Sequence, residues 1–225
     1  MVRVSICIPL YNGIEFLEET LVSVKAQIYK DYEVLIGVNG WPAGSEVYKR
    51  AAWLLNAHQI PGYIFDFLQC QGKPETLNAL VAHAHGDWIA LLDADDVWHP
   101  QKLEIQMSLT DHFDVIGTQC MYFGTMSGSP SIPMGDISEF DFFSVNPLLN
   151  SSVLMKKEYA LWNPENRILE DYELWFHLRY RNHLRMYNIK LPLMFHRIHP
   201  TSHFNGTNAN AVDDLKETMR KIYSQ

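Results

Sequence analysis

Cysteine is scarce in this chain. Its three thiols, Cys7, Cys70 and Cys120, lie far apart among 225 residues and none has a CxxC partner. That spacing excludes a zinc knuckle and a redox dithiol, and free thiols suit a reducing compartment. Long apolar runs are missing as well. The opening stretch 4–10 is interrupted at Pro9, poorly formed as a signal peptide and too short to cross a bilayer. We therefore expect a cytoplasmic protein with no transmembrane segment. There is no Lys/Arg cluster, and 18 basic against 26 acidic residues leave a net charge of −8, which argues against nucleic acid as a partner. Internal repeats, low-complexity tracts and a glycine-rich phosphate loop are also lacking.

What remains is an ordinary globular composition, 47% hydrophobic and 20% charged, long enough for a single domain over residues 1–225 with a sizeable core. One stretch stands out: Ile89-Ala90-Leu91-Leu92 followed by Asp93-Ala94-Asp95-Asp96. A buried strand can hold the first four residues but cannot bury three carboxylates that repel one another. A solvated turn would relieve the repulsion, and so would a hard divalent cation such as Mn2+ or Mg2+. Open α/β sheets place ligands at the carboxyl edge of their strands, where this tip would lie.

The patterning supports such a sheet, since apolar runs alternate with helical spacing. Strands are expected at 2–9, 33–38, 63–68 and 88–93. Between them fall a helix with Leu17, Leu21, Val24 and Ile28 on one face, a second over 42–56 and a third through Leu77, Leu80 and Val81. Beyond Pro100 the expected order is a helix through Leu103 and Met107, strands at 115–119 and 152–156, a helix at 170–179, a strand at 193–198 and a terminal helix at 211–223. Residues 124–135, rich in Gly, Ser, Pro and Met, read as a long loop, either disordered or of the kind that serves as a lid or binding loop. His83 and His85, two apart, do not share a helix face and read as surface residues.

Four blocks in order carry a resemblance. They are Val4-Ser5-Ile6-Cys7-Ile8-Pro9-Leu10-Tyr11-Asn12, Leu92-Asp93-Ala94-Asp95-Asp96-Val97-Trp98, Glu170-Asp171-Tyr172-Glu173-Leu174-Trp175 and Arg197-Ile198-His199-Pro200. Together the chain resembles a family 2 glycosyltransferase. The resemblance implies a GT-A, Rossmann-like α/β fold with a mostly parallel central sheet flanked by helices. Residues 1–98 would form a nucleotide-sugar-binding half, and 99–225 an acceptor-binding half with a C-terminal helix. It also implies inverting transfer of a sugar from a nucleoside-diphosphate donor to a hydroxyl of a glycan or other acceptor.

Residue by residue, the resemblance implies that Asp95 is the metal ligand, with His199 a third ligand from the late strand, where imidazole would suit manganese. Asp93 would complete the metal group, nearer the ribose or a metal-bound water. Asp96, just ahead of Pro100, reads as a helix cap or outer-layer group. Asp171 would be the general base and Glu170 its understudy. A first-turn position favours acidic residues in any helix and would lower the pKa of Asp171. Pro9, Leu10, Tyr11, Asn12 and Ala94 would frame the nucleotide. Lys73 would approach the donor, as would Asn78 unless it is a cap or surface residue; Trp98 would approach the acceptor, as would Trp175 unless it is core. One departure bears on the donor. Where the family often carries Asp-Asp-Gly-Ser this chain has Asn39-Gly40-Trp41, so an amide replaces the acidic residue that contacts the base. Uridine diphosphate comes first as the leaving group, thymidine and guanosine diphosphate behind it.

Two rivals follow from the same residues. Leu92 to Val97 also fits the DxDx(T/V) pattern of haloacid-dehalogenase-like phosphatases, although that pattern normally follows a first strand and here three strand–helix units precede it. A sugar-nucleotide-binding protein that has lost turnover is the other.

Overall fold

The computed structural model describes residues 3–200 and 209–223. β1 (Val4–Leu10), β2 (Tyr32–Val38), β3 (Gly62–Asp66) and β4 (Trp88–Leu91) pair in parallel in the order β3-β2-β1-β4. Between them come α1 (Leu17–Lys25), α2 (Glu46–Ala57) and α3 (Lys73–His83). The connections are βαβ crossovers, which cover both faces of the sheet and force its strands to be apolar throughout. All seven residues of β2 are buried. Alternation still decides which face each residue serves: in β1, Val4, Ile6 and Ile8 join the core on the α1/α2 side, and Cys7 joins the core that holds Leu77 and Leu80 of α3.

The second half extends the sheet. β5 (Val97–Trp98) precedes α4 (Lys102–Met107), and β6 (Val115–Gly124), β7 (Gly135–Asp136) and β8 (Leu154–Lys156) follow. After α5 (Glu170–Phe176) and a π turn over His177–Arg181, β9 (Met186–Ile198) leads towards α6 (Ala209–Tyr223). β8 enters antiparallel between β4 and β6, β9 runs parallel to β6, and the short β5 and β7 pair antiparallel with β9. The result is one α/β domain, parallel through its first four strands and mixed beyond them.

Several expected boundaries move. The first strand begins at Val4 where Val2 was included, and Val2 lies outside the described residues. α1 stops at Lys25, leaving Ile28 exposed. The second helix starts at Glu46, not 42, because Ser45 caps it by accepting from the Tyr48 amide at 3.2 Å. The 170–179 helix loosens into the π turn after Phe176. β6 and β9 are far longer than expected. β9 contains Pro192, which a regular central strand rejects, and the register between the two strands shifts on either side of Gln119, the partner of Pro192. A bulge thus lets the strand continue past proline.

Residues 124–135 form a tied-down loop. Pro133 O accepts from Gln119 Nε2 and Asn188 Nδ2, and Tyr122 bridges Gly128. Its entry requires glycine, since Gly124 has φ +94° and a Cβ there would sit 2.4 Å from Ile198 O. His83 and His85 are exposed as expected, but not idle: the His83 ring stacks on Phe65 and His85 bonds to Glu33.

Candidate functional site

The carboxyl ends of β1, β2 and β4 open into a cleft of about 580 Å³. Pro9, Leu10, Tyr11, Asn12 and Gly13 line it after β1, Asn39 after β2, and Asp93, Ala94 and Asp95 after β4. Gln71, Gly72, Lys73 and Thr76 contribute from the start of α3. Arg167 and Glu170 come from the approach to α5, and His196 and His199 from the end of β9. Both halves of the chain therefore build the cleft.

The three crowded carboxylates at the β4 tip are each given a different partner. Asp93 Oδ1 accepts from Lys73 Nζ at 2.7 Å and from Asn150 Nδ2 at 3.1 Å, while its amide donates to Ser151 Oγ. Burial works against ionising this group, but the Lys73 ammonium outweighs it and holds the carboxyl below its ordinary value. Lys73 also lies 3.6 Å from Glu170 Oε1. Burial would discharge the lysine, yet Asp93 and Glu170 together keep it protonated, well above its usual range.

Asp95 Oδ2 stands 2.9 Å from His199 Nε2. Burial first, then the charges of Asp96 and Asp93, push its carboxyl upward, and the hydrogen bond to His199 offsets only part of that. Of the two readings of Asp96, helix cap or outer-layer group, the cap is corrected, because the residue caps no helix. It is buried and accepts from His196 Nδ1 at 3.0 Å and from the Arg197 amide at 2.9 Å. Burial disfavours the His196 cation, but Asp96 beside it outweighs that and raises the imidazole pKa. Arg197 completes the clasp. Its Nε donates to Asp95 O at 2.9 Å, its guanidinium pairs with Glu19, and it lies over Phe16 and Phe123 at 4.7 and 4.2 Å. The late Arg-x-His segment is thereby fastened to the acidic tip.

A divalent cation suits this donor set. Asp95 supplies a carboxylate oxygen, His199 an imidazole nitrogen, and the surplus negative charge that raises the Asp95 pKa is what a cation relieves. Among the described residues no cluster of three or more His, Cys, Asp or Glu gathers at ligating distance, so oxygen atoms of a bound ligand would have to complete the shell. Asp93, expected among the ligands, has its Oδ1 engaged by Lys73 and Asn150.

Glu170 lines the cleft, and Asp171 flanks it within electrostatic range of Lys73 and Asp93. The expected depression of the Asp171 pKa is reversed. Burial, and then the negative charge of Glu170, push its carboxyl up to about 7, against a smaller pull from Lys73. Two adjacent carboxyls in a dry place outweigh one short helix terminus.

Three other expected contacts fall elsewhere. Trp98 is 2% exposed, its Nε1 donating to Ser151 O at 2.7 Å and its ring lying under Lys102. Trp175 is fully buried in the core of the α3 face. Neither can stack on an acceptor from these positions. Asn78 forms a reciprocal pair with Trp162, Nδ2 to its carbonyl and Oδ1 from its amide, both at 2.9 Å. It joins α3 to the segment before α5 and leaves the cleft to Lys73 and Thr76. Asn78→Ala should therefore lower stability by about 2 kcal/mol, the penalty of orphaning buried backbone groups, with nucleotide affinity unchanged in calorimetry. A matching loss of affinity in a folded variant would return it to the site.

His196, Arg167 and the Asn150-Ser151 pair were not foreseen. His196 directly precedes the Arg-x-His segment, the one signal that could have drawn attention to it. Arg167, on the rim, donates to Gln71 Oε1 at 3.0 Å.

Comparisons with known proteins agree with this architecture. The glycosyl transferase family 2 model matches residues 5–203, and the chain belongs to that family, which removes the phosphatase alternative. An uncharacterised glycosyltransferase of Rickettsia typhi is 29% identical over 196 residues, 77% of this chain and 57% of the relative. The chain thus spans little more than half of that protein's length. The first 349 residues of S. aureus TarS, solved with UDP-GlcNAc, superpose with a TM-score of 0.77 at 13% identity, over 96% of this chain and 66% of that one. The mannosyltransferase PcManGT of Pyrobaculum calidifontis, solved with GDP-Man and Mn2+, gives 0.67 at 17% identity, over 91% and 59%. These likenesses show the fold, the GT-A type. No helix among the described residues is long and apolar enough to cross a membrane.

Proposed function

We propose that this chain transfers a sugar from a nucleoside-diphosphate sugar, uridine-linked before thymidine- or guanosine-linked, to a hydroxyl of a glycan or other acceptor, inverting the anomeric carbon. The observation that carries this reading is the cleft itself, where the Asp95–His199 pair and the Lys73–Asp93–Glu170 group share one space. Charged groups (Lys73, Asp93, Asp95, Arg167 and Glu170) share the cleft with Pro9, Leu10, the exposed ring of Tyr11 and the uncharged amide of Asn39. A diphosphate needs the first kind of lining and a planar base the second.

In the reaction the acceptor oxygen bonds to the anomeric carbon as the bond to the β-phosphate oxygen breaks, its electron pair leaving on the diphosphate. Asp171 takes the acceptor's proton, and Glu170 is the alternative. Lys73 holds Asp93 in place and keeps a positive charge beside the departing anion. A divalent cation on Asp95 and His199 would supply Lewis acidity to the leaving group when bound.

The test is a panel of UDP-, dTDP- and GDP-sugars incubated with the chain and MnCl2. Slow release of nucleoside diphosphate without acceptor, lost in Asp95→Ala, is the expected result. Tight nucleotide binding without release under any acceptor would favour a sugar-nucleotide-binding protein without turnover.

A further inference from the structure

The 3₁₀ turn Asn150–Ser152, between β7 and β8, stands behind the cleft lining and grips Asp93 from two sides. Ser151 Oγ accepts from the Asp93 amide at 3.0 Å, and Asn150 Nδ2 donates to Asp93 Oδ1 at 3.1 Å. The turn is itself clamped in the core. Trp98 Nε1 donates to Ser151 O at 2.7 Å and Gln106 Nε2 to Ser152 O at 2.8 Å. Lys102 Nζ, 2.8 Å from Gln106 Oε1, fixes which way that amide faces. Asn150 can serve Asp93 in one orientation only, because turned over its oxygen would face a carboxylate with no proton between them. In the orientation found, Asn150 Oδ1 is buried and no donor among the described residues reaches it. A buried acceptor without a partner lowers stability, so folding alone would favour an apolar side chain here.

From these contacts we infer that Asn150 and Ser151 are positioning residues: they hold the Asp93 backbone and one carboxylate oxygen still, so that the other oxygen meets the bound donor. This rests on the nucleotide-sugar reading above. Lys73 Nζ meets the same Oδ1 at 2.7 Å. With two anchors on one oxygen the carboxylate cannot swing, and Oδ2 is left to the cleft that Asp93 lines. Neither Asn150 nor Ser151 lines that cleft, so both act through Asp93 and not on the ligand. Their effect on binding should vanish when the Asp93 carboxylate is gone.

The experiment is a double-mutant cycle read by calorimetry on the full chain in MnCl2, with whichever of UDP, dTDP and GDP binds most tightly. Asn150→Ala should weaken that nucleotide about tenfold, the usual cost of removing the outer partner of a site residue. Added to Asp93→Ala, the same substitution should change affinity by less than about twofold, because its route to the ligand is gone. A merely structural asparagine would cost the same in both backgrounds, and that result overturns the inference. So does an Asn150→Ala chain that binds as tightly as wild type. Should Asn150→Ala not fold, Ser151→Ala takes its place in the cycle. Should Asp93→Ala not fold, Asp93→Asn replaces it, and the loss on adding Asn150→Ala should shrink to about threefold, since the bond is no longer charge-assisted; an undiminished tenfold loss overturns the inference. If no nucleotide binds, the donor reading fails and takes this inference with it, whereas binding with an additive cycle removes the inference alone.

Discussion

Asp171→Asn should leave donor binding intact while cutting sugar transfer by a factor of about 10² to 10⁴, the usual worth of a general base. The raised pKa makes this more than a loss-of-function expectation. A carboxyl held at about 7 is a far better proton acceptor than one at its ordinary value of 3.8, so transfer by the wild type should climb with pH and level off above about 7. The substitution should remove that limb along with the rate. If Glu170 carries the proton instead, Glu170→Gln will abolish transfer and Asp171→Asn will not.

The same shift has a consequence for stability. With a folded pKa above the unfolded one, the native state binds the extra proton between pH 3.8 and about 7. Asp171 then contributes its full share below the unfolded pKa and loses it as pH rises through the folded pKa. At pH 8 the wild type bears an ionised, poorly solvated carboxylate, and the neutral amide should be the more stable by on the order of 2 kcal/mol. Thermal melts at pH 8 and pH 4 read this directly, and a variant less stable than wild type at pH 8 would contradict the raised pKa. Higher stability together with lost transfer is the signature of a group kept for chemistry.

The parallel half of the fold was legible because its signal is dense. β1, β2 and β4 are near-continuous apolar runs ending in turn residues, and the acidic tip after β4 cannot be anything but an edge. The second half was read less well, for identifiable reasons. In β9, Lys190 and Pro192 fall within the strand and break the apolar run that periodicity relies on, and only the bulge opposite Gln119 rescues the pairing. β5 and β7 have two residues each, below any period. At the site, residue type and motif order brought Asp95, His199, Lys73 and Glu170 into one cleft. They could not say that Trp98, Trp175 and Asn78 turn away, because a motif position fixes the backbone and not the side chain's burial. The pKa of Asp171 was misjudged in sign for a similar reason: helix position is local, whereas desolvation and the neighbouring carboxylate depend on tertiary packing.

The other large effect belongs to Asp95. Replacing it with asparagine keeps the shape and deletes the charge, so UDP affinity in manganese should fall about 100-fold or more, while affinity in EDTA should be unchanged. Lost folding cannot produce this pattern. Asp95 sits among Asp96 and Asp93, with His199 bonded to it and His196 within electrostatic range, and removing one of three repelling charges should leave the melting temperature equal or higher. His199→Gln should follow with a smaller loss, since it removes one neutral ligand and leaves the carboxylate. The reading turns on the order of these losses. Were His199→Gln the more damaging and Asp95→Asn mild, the imidazole would be acting on the ligand itself, and the acidic tip would be no more than its anchor.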